Sequence, residues 1–444
     1  MRRVAGAAFV GSTIEFYDFF VYGTAAALVF GPVFFPALGT AAGTVAAFAT
    51  FGVAFFFRPL GAVVFGHLGD RWGRKRTLIY TLSIMGAATI AIGLMPTTSM
   101  IGIAAPIGLV VLRALQGLAV GGEWAGAALL TAEYSPPRKR GFYGMFTQLG
   151  PGAAFSLSSA TFLIAAVTMT QEQFLAWGWR IPFVASVLLL GVGLYIRLRV
   201  EETPEFVTSV ERDLVVRFPF AEAMRTQWRR ILLAGGTLTM MLGFFYVAAV
   251  FLTSFATQSV EEGGLGLPRT TVLAAGIWGG LVFVGATAVA AIASDTVGRL
   301  TVMLVGTLAA IPVGPAAFLI MTPGSGPSLV IALTLLMCVL GIPSGVAASH
   351  LPEIFPTEFR YTAAGLGYNL AGVLGGALPL LIAPPLVSTF GASALGWYLA
   401  VLGLVSTLCV LGIRRSLRIE ATGPVSRTAA HMSAAVPAPP SAGK

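Results

Sequence analysis

The chain has 444 residues, of which 56% are hydrophobic and only 10% charged, where soluble domains carry about 25% charged. This excludes an ordinary soluble fold and leaves a protein of the lipid bilayer. The net charge of +9 is spread over short segments between apolar runs, which signals membrane topology and excludes a nucleic-acid partner. Cys338 and Cys409 lie in apolar runs and read as small buried side chains, with no disulfide framework.

A helix needs about 20 apolar residues to cross the hydrocarbon core. Twelve such spans are predicted, over 6–30, 45–68, 77–96, 102–132, 141–168, 181–199, 230–257, 272–294, 301–321, 327–349, 361–388 and 393–413. Met1-Arg2-Arg3 opens as a leader peptide does. Glu15, Tyr17 and Asp18 interrupt the apolar run that follows and no clear cleavage site ends it, so it is read as a retained first span. Trp177 and Trp179, beside Arg180, fit an aromatic belt. The stretch 219–230 mixes Phe220, Met224 and Trp228 with Arg225, Arg229 and Arg230, and predicts an interfacial amphipathic helix feeding the seventh span. The tail is rich in Ala, Pro and Ser without apolar period, and is expected to be disordered. Of the 27 Lys and Arg residues, all but Arg58, Arg113, Arg180 and Arg269 fall at the termini, in even-numbered connections or at span ends beside them. This bias places both termini in the cytoplasm of a multi-pass protein of the cell membrane.

Two loop signatures occur twice, about half a chain apart. Asp70-x-x-Gly73-Arg74 returns as Asp295-x-x-Gly298-Arg299, and Glu133 with Arg140 returns as Glu353 with Arg360. Repeated signatures at nearly one offset predict two related halves with a substrate site between them. The expected fold is an all-α membrane protein of twelve transmembrane helices in two pseudo-symmetric six-helix bundles. Its parts are residues 1–199, a cytoplasmic connection 200–229, residues 230–414, and a disordered cytoplasmic tail 415–444.

Charges inside spans are costly unless paired or hydrated, so each marks a candidate functional site. Glu15 and Asp18 are three apart on one face of span 1. Arg58 lies mid-span in span 2. Arg113, Gln116 and Glu123 in span 4 fall within about 80° on a helical wheel. Glu15, Asp18, Arg58 and Arg113 sum to zero charge, which permits mutual pairing. One reading is a static ion-pair network. The other gives a carboxylate to a coupling proton and an arginine to a substrate carboxylate. A carboxylate in a dry site beside a switching cation suits the first task, and the bidentate guanidinium suits the second. Asp18 and Glu15, with Glu123 as relay, are the proton candidates. Arg113, Arg58, Gln116, Tyr17 and Asn369 are the substrate-binding candidates, Tyr17 through a cation–π contact. Which member of each pair acts is open at this point. His350 reads as a polar helix-end residue ahead of a proton relay. The second half carries almost no intramembrane charge and is expected to supply shape and hydrogen bonds.

Gly66-His-Leu-Gly-Asp70-Arg71-Trp-Gly73-Arg74-Lys75-Arg76 resembles the signature loop of the major facilitator superfamily, and Arg113-Ala-Leu-Gln116-Gly117 through Glu123 is similar to its second motif. Glu15-Phe-Tyr-Asp18, Tyr22-Gly23, Arg58-Pro59, Gly121-Gly122-Glu123 and Glu201-Glu202-Thr203-Pro204-Glu205 resemble its metabolite:proton symporter branch, over about residues 5–415. The resemblance implies proton-coupled uptake, by alternating access, of a small carboxylate-bearing metabolite. The substrates it suggests are a dicarboxylate, 2-oxoglutarate or shikimate, or a zwitterion such as proline or glycine betaine. It also implies gating roles for Asp70, Arg74, Glu133, Arg140, Asp295, Arg299, Glu353 and Arg360. The expected protein is a monomer in the lipid bilayer, with no cofactor beyond the coupling proton and no metal. The alternative is a proton-driven exporter of a metabolite or drug. Gly150-Pro151-Gly152 matches the antiporter motif only in part, which counts against it. His67, His350 and His431 are scattered and no nucleophile cluster appears, which counts against an enzyme.

Overall fold

A computed structural model describes residues 2–72, 74–121, 136, 139–199, 219–356 and 360–422. The described chain is helical throughout its long elements, as lipid requires, because only internal hydrogen bonds satisfy a backbone that spans hydrocarbon. Eleven described helices are long and apolar enough to cross a membrane. They are α1 (Ala5–Phe34), α2 (Pro36–Phe65), α3 (Arg76–Leu94), α5 (Arg140–Thr168), α6 (Gly178–Ile196), α7 (Glu222–Thr257), α8 (Arg269–Val297), α9 (Arg299–Ile320), α10 (Gly326–Ile354), α11 (Thr362–Phe390) and α12 (Ala392–Leu417). The shorter apolar helix Ala104–Val120 is α4.

The two halves repeat one packing scheme. In the first, α1 packs on α5, α2 on α4, and α3 on α4 and α6; in the second, α7 packs on α11, α8 on α10, and α9 on α10 and α12. Between the halves, α5 meets α8 and α10, and α2 meets α11. The signature turn explains its glycine. Gly298, between α8 and α9, has φ 91°, a left-handed conformation that a side chain would strain. Three helices carry π-helical turns: Ala26–Phe30 in α1, Val247–Phe251 in α7 and Gly372–Ala377 in α11. The first two sit at matching places in the two halves. Such turns widen a helix locally and gather at functional sites.

Several expectations need correction. Residues 219–230 are not a separate interfacial helix: one helix runs Pro219–Tyr246 without a break. The C-terminal helix continues through Thr422, beyond the expected start of the tail at 415; residues 423–444 lie outside the described residues, as do 200–218. Trp179 is no belt residue. It is buried among Phe30, Phe34 and Phe183, with Arg180 stacked 4.2 Å above its ring, and only Trp177 is exposed. Cys338 is exposed on α10 rather than buried.

Candidate functional site

The site grows from one face of α1. Glu15, Asp18, Phe19 and Tyr22 follow the i, i+3, i+4, i+7 spacing that aligns side chains along a helix. All four are buried, Asp18 at 3% exposure and Glu15 at 8%. Arg58 from α2 and Arg113 from α4 enter opposite this face at 2% and 0% exposure. Pro59 follows Arg58 inside its helix, and a proline there removes one backbone hydrogen bond and bends the turn.

Both guanidinium groups rest on aromatic faces. Arg58 lies 4.4 Å from the Phe19 ring and 4.6 Å from Phe55. Arg113 lies 3.9 Å from Tyr22, 4.6 Å from Phe51 and 4.8 Å from Phe19. The Phe19 ring therefore serves both cations. Such contacts stabilise a desolvated cation by about 2 kcal/mol without using its hydrogens.

The two arginines differ in which hydrogens are committed. Arg113 Nη1 donates to Gln116 Oε1 at 2.9 Å, and Nη2 to the Phe51 carbonyl at 3.4 Å. Gln116 Nε2 donates to Thr89 Oγ1 at 2.7 Å, and the Thr89 hydroxyl donates to the Met85 carbonyl at 3.0 Å. Asp18 stands beside Thr89 and Arg113. A chain of polar groups thus joins α4, α3 and α1. Arg58 is different: its Nε and Nη2 are buried and meet no hydrogen-bond partner among the described residues. These atoms form one edge of the planar group, the edge that grips a carboxylate with two parallel bonds. Leaving buried donors unmet costs about 1–3 kcal/mol each, which makes this fork the candidate anion site.

The second bundle closes the site with tyrosines. Tyr246 from α7 packs edge-on against Phe55 and Phe51 at 5.1 and 5.6 Å. It interacts with Arg58, Arg113 and Glu15, and Tyr368 from α11 interacts with Arg58 and Glu15. The cation cage is therefore completed only where the halves meet.

A family model described as "Sugar (and other) transporter" matches residues 4–216. The inner membrane metabolite transport protein YhjE of Escherichia coli (strain K12) is 40% identical over 92% of this chain and 93% of its own. The shikimate transporter of the same organism is 39% identical over 94% and 95%. Among solved structures, the E. coli proton:xylose symporter XylE with bound 6-bromo-6-deoxy-D-glucose superposes with a TM-score of 0.72 at 17% identity, over 91% of this chain and 94% of that one. The chain belongs to the major facilitator superfamily. Within it, the chain sits among the metabolite transporters, which are transporters and not enzymes.

Against this major facilitator frame, the sequence-read residues divide. Asp18, Glu15, Arg58, Arg113 and Gln116 do converge. Gln116 is spent on Arg113 and Thr89, so it orients the cation. Tyr17 does not face the cage. Its hydroxyl donates to Thr161 Oγ1 at 3.2 Å and to the Pro182 carbonyl at 3.1 Å, inside the first bundle. At 100° per residue it stands about 160° around α1 from Glu15, which the wheel itself reveals. Asn369 donates to the Gly121 carbonyl at 3.3 Å, so it straps α11 to α4. Residues absent from the sequence reading of the site are Phe19, Phe51, Phe55, Tyr22, Thr89 and Tyr246. The i+4 and i+7 positions from Asp18's face pointed to Phe19 and Tyr22; nothing in the sequence pointed to the rest. Glu123 lies outside the described residues.

The gating residues also divide. The expected pairing of Glu353 with Arg360 is replaced by one across the halves: Arg140 and Arg299 both donate to Glu353 Oε1, Arg140 at 3.4 Å. Arg360 Nε meets no partner among the described residues. Asp295 caps the first turn of α5, accepting from the Gly141 and Phe142 N–H groups at 2.9 and 3.0 Å. A carboxylate there also complements the positive end of the helix dipole. The side chains of Asp70 and Arg74, and Glu133, lie outside the described residues. His350 is buried at the end of α10 next to Glu353 and Arg299, part of this cluster rather than of the cage. At the other end of the bundle, Arg269 at the start of α8 donates to Gln171 and to the Ala166 and Met169 carbonyls at 3.5 and 3.4 Å. It also stacks 4.3 Å from the Phe174 ring. Contacts between the halves thus stand at both ends of the bundle, as an occluded arrangement requires.

Proposed function

We propose that this protein takes up a small carboxylate-bearing metabolite together with protons, by alternating access between the two bundles. The observation that carries the reading is the buried, unmet Nε/Nη2 edge of Arg58. Arg58 holds the substrate carboxylate. Asp18, joined to Arg113 through Thr89 and Gln116, carries the coupling proton. Glu15, nearer Tyr246 and Tyr368, balances the cations. No cofactor beyond the proton is required. The bias of Lys and Arg puts both termini in the cytoplasm, so the end bearing Asp295 and Glu353 is the cytoplasmic gate and the end bearing Arg269 the outer gate. Because one chain encloses the whole cage, a monomer suffices. The shikimate transporter at 39% identity supports an organic acid as cargo.

The test is uptake into proteoliposomes under an imposed inward proton gradient. The panel is succinate, 2-oxoglutarate, shikimate, proline and glycine betaine, each with and without a protonophore. Accumulation of one compound that the protonophore abolishes supports symport. Gradient-driven movement only in the opposite direction makes the protein an exporter.

A further inference from the structure

The Tyr246 hydroxyl is buried at 0% exposure of its residue and meets no hydrogen-bond partner among the described residues. It lies beside Arg58 and interacts with it, without the geometry of a full hydrogen bond. Its ring is locked by Phe55, Phe51 and Phe245, so the hydroxyl is held in place rather than free to seek a partner. A buried tyrosine ordinarily finds one. Tyr246 also immediately precedes the π-helical turn Val247–Phe251 of α7.

The donors around it can be counted against a cargo. A carboxylate has two oxygens. The Arg58 fork takes both in a side-on grip. Arg113 Nε, also buried without a partner, and the Tyr246 hydroxyl then have hydrogens for a further oxygen close to the carboxylate. We propose, resting on the carboxylate reading above, that Tyr246 is the substrate-reading residue of the second bundle and selects small carboxylic acids that carry a hydroxyl or oxo group near the carboxylate. The carboxylate binds the first bundle through Arg58, and the second oxygen binds the second bundle through Tyr246. Cargo of this class bridges the halves and draws them into the occluded arrangement, whereas a plain acid engages one half only.

The experiment is calorimetric titration of the purified full-length protein in lipid nanodiscs with two matched pairs: 2-oxoglutarate and glutarate, and malate and succinate. At least one oxygenated acid is expected to bind about tenfold tighter than its plain partner. Tyr246→Phe keeps the ring and is expected to bring the oxygenated acid down to the plain one, leaving the plain acid and the thermal midpoint unchanged. Arg58→Lys is expected to weaken both members. Plain acids that bind through Arg58 with no preference for their oxygenated partners, or a preference that survives in Tyr246→Phe, overturn the tyrosine's role and leave the carboxylate reading standing. If no acid binds the wild type, both readings fall together. If Tyr246→Phe lowers the thermal midpoint, the preference of the wild type within each pair decides.

Discussion

Arg58 and Arg113 share one aromatic platform, Phe19, yet present different edges to the cage. Arg113 has both terminal nitrogens engaged by Gln116 and Phe51, while Arg58 keeps its side edge unmet. On the proposal above, that difference makes Arg58 the main carboxylate grip and Arg113 chiefly a positioning cation. Lysine offers a point charge without a fork, so Arg58→Lys should raise the KM for a carboxylate substrate about tenfold or more in proteoliposome uptake. Arg113→Lys should chiefly lower the thermal midpoint, through loss of the Gln116 and Phe51 bonds, with a smaller change in KM. Asp18→Asn removes the carboxylate that we propose carries the proton and keeps its shape. It should abolish gradient-driven accumulation while substrate exchange across the membrane continues; accumulation equal to wild type takes Asp18 out of the coupling role. The charged residues were legible in the sequence because a charge inside an apolar span stands out. Which guanidinium edge is committed was not, since it depends on a glutamine one turn on and a carbonyl from another helix.

At the scale of helices, the cage depends on how closely α2 and α4 approach. A Cβ added at Gly117 would stand 2.3 Å from the Ala54 carbonyl oxygen, and one at Gly121 would stand 2.0 Å from the carbonyl oxygen of Arg58 itself. Glycine in transmembrane helices commonly permits such backbone contact. Gly117→Ala should therefore push α2 and α4 apart, costing about 1–3 kcal/mol as overpacked sites do. It should lower the thermal midpoint together with carboxylate affinity; an unchanged midpoint would show that the helices yield without strain. The spans themselves were readable from hydropathy. The continuity of Pro219–Tyr246 follows from helix-favouring residues on both sides of a predicted break. The burial of Trp179 follows from three aromatic rings, Phe30 and Phe34 of α1 and Phe183 of α6, converging on it, which no local pattern encodes.

On the scale of the whole molecule, the two ends are held by different chemistry. One end is tied by Asp295 on the α5 amide groups and by Glu353 between Arg140 and Arg299. The other is tied by Arg269 on Gln171 and two carbonyls. Charged hydrogen bonds each contribute about 1.5–3 kcal/mol, enough to shift an opening equilibrium tenfold or more. Ser349 faces Gly144 across the halves at the first end, and Val250 packs against Gly23 near the second. In a background with Cys338 and Cys409 replaced by serine, a cysteine placed at position 349 should react faster with maleimide when Asp295→Asn is added, and one at position 250 slower. Arg269→Ala should reverse that pattern. Equal labelling in all backgrounds would mean that these contacts do not hold the ends.

The sequence by itself determined the bilayer as solvent, the twelve spans, the duplication and the family, because each rests on composition and local order: long apolar runs, rare charges and repeated turn motifs. It also determined that the charge chemistry belongs to the first half, since Glu15, Asp18, Arg58 and Arg113 have no counterparts among the later spans. Tertiary structure decided what those charges meet. Only helices packed side by side could place two arginines on one phenylalanine, engage both terminal nitrogens of one and leave the side edge of the other open. Only the meeting of the halves could bring Tyr246 to the cage and carry Glu353 to Arg140 rather than to Arg360. Hydrogen-bond partners separated by a hundred residues or more leave no periodic trace, because their meeting is set by the angle and distance between helices and not by spacing along the chain.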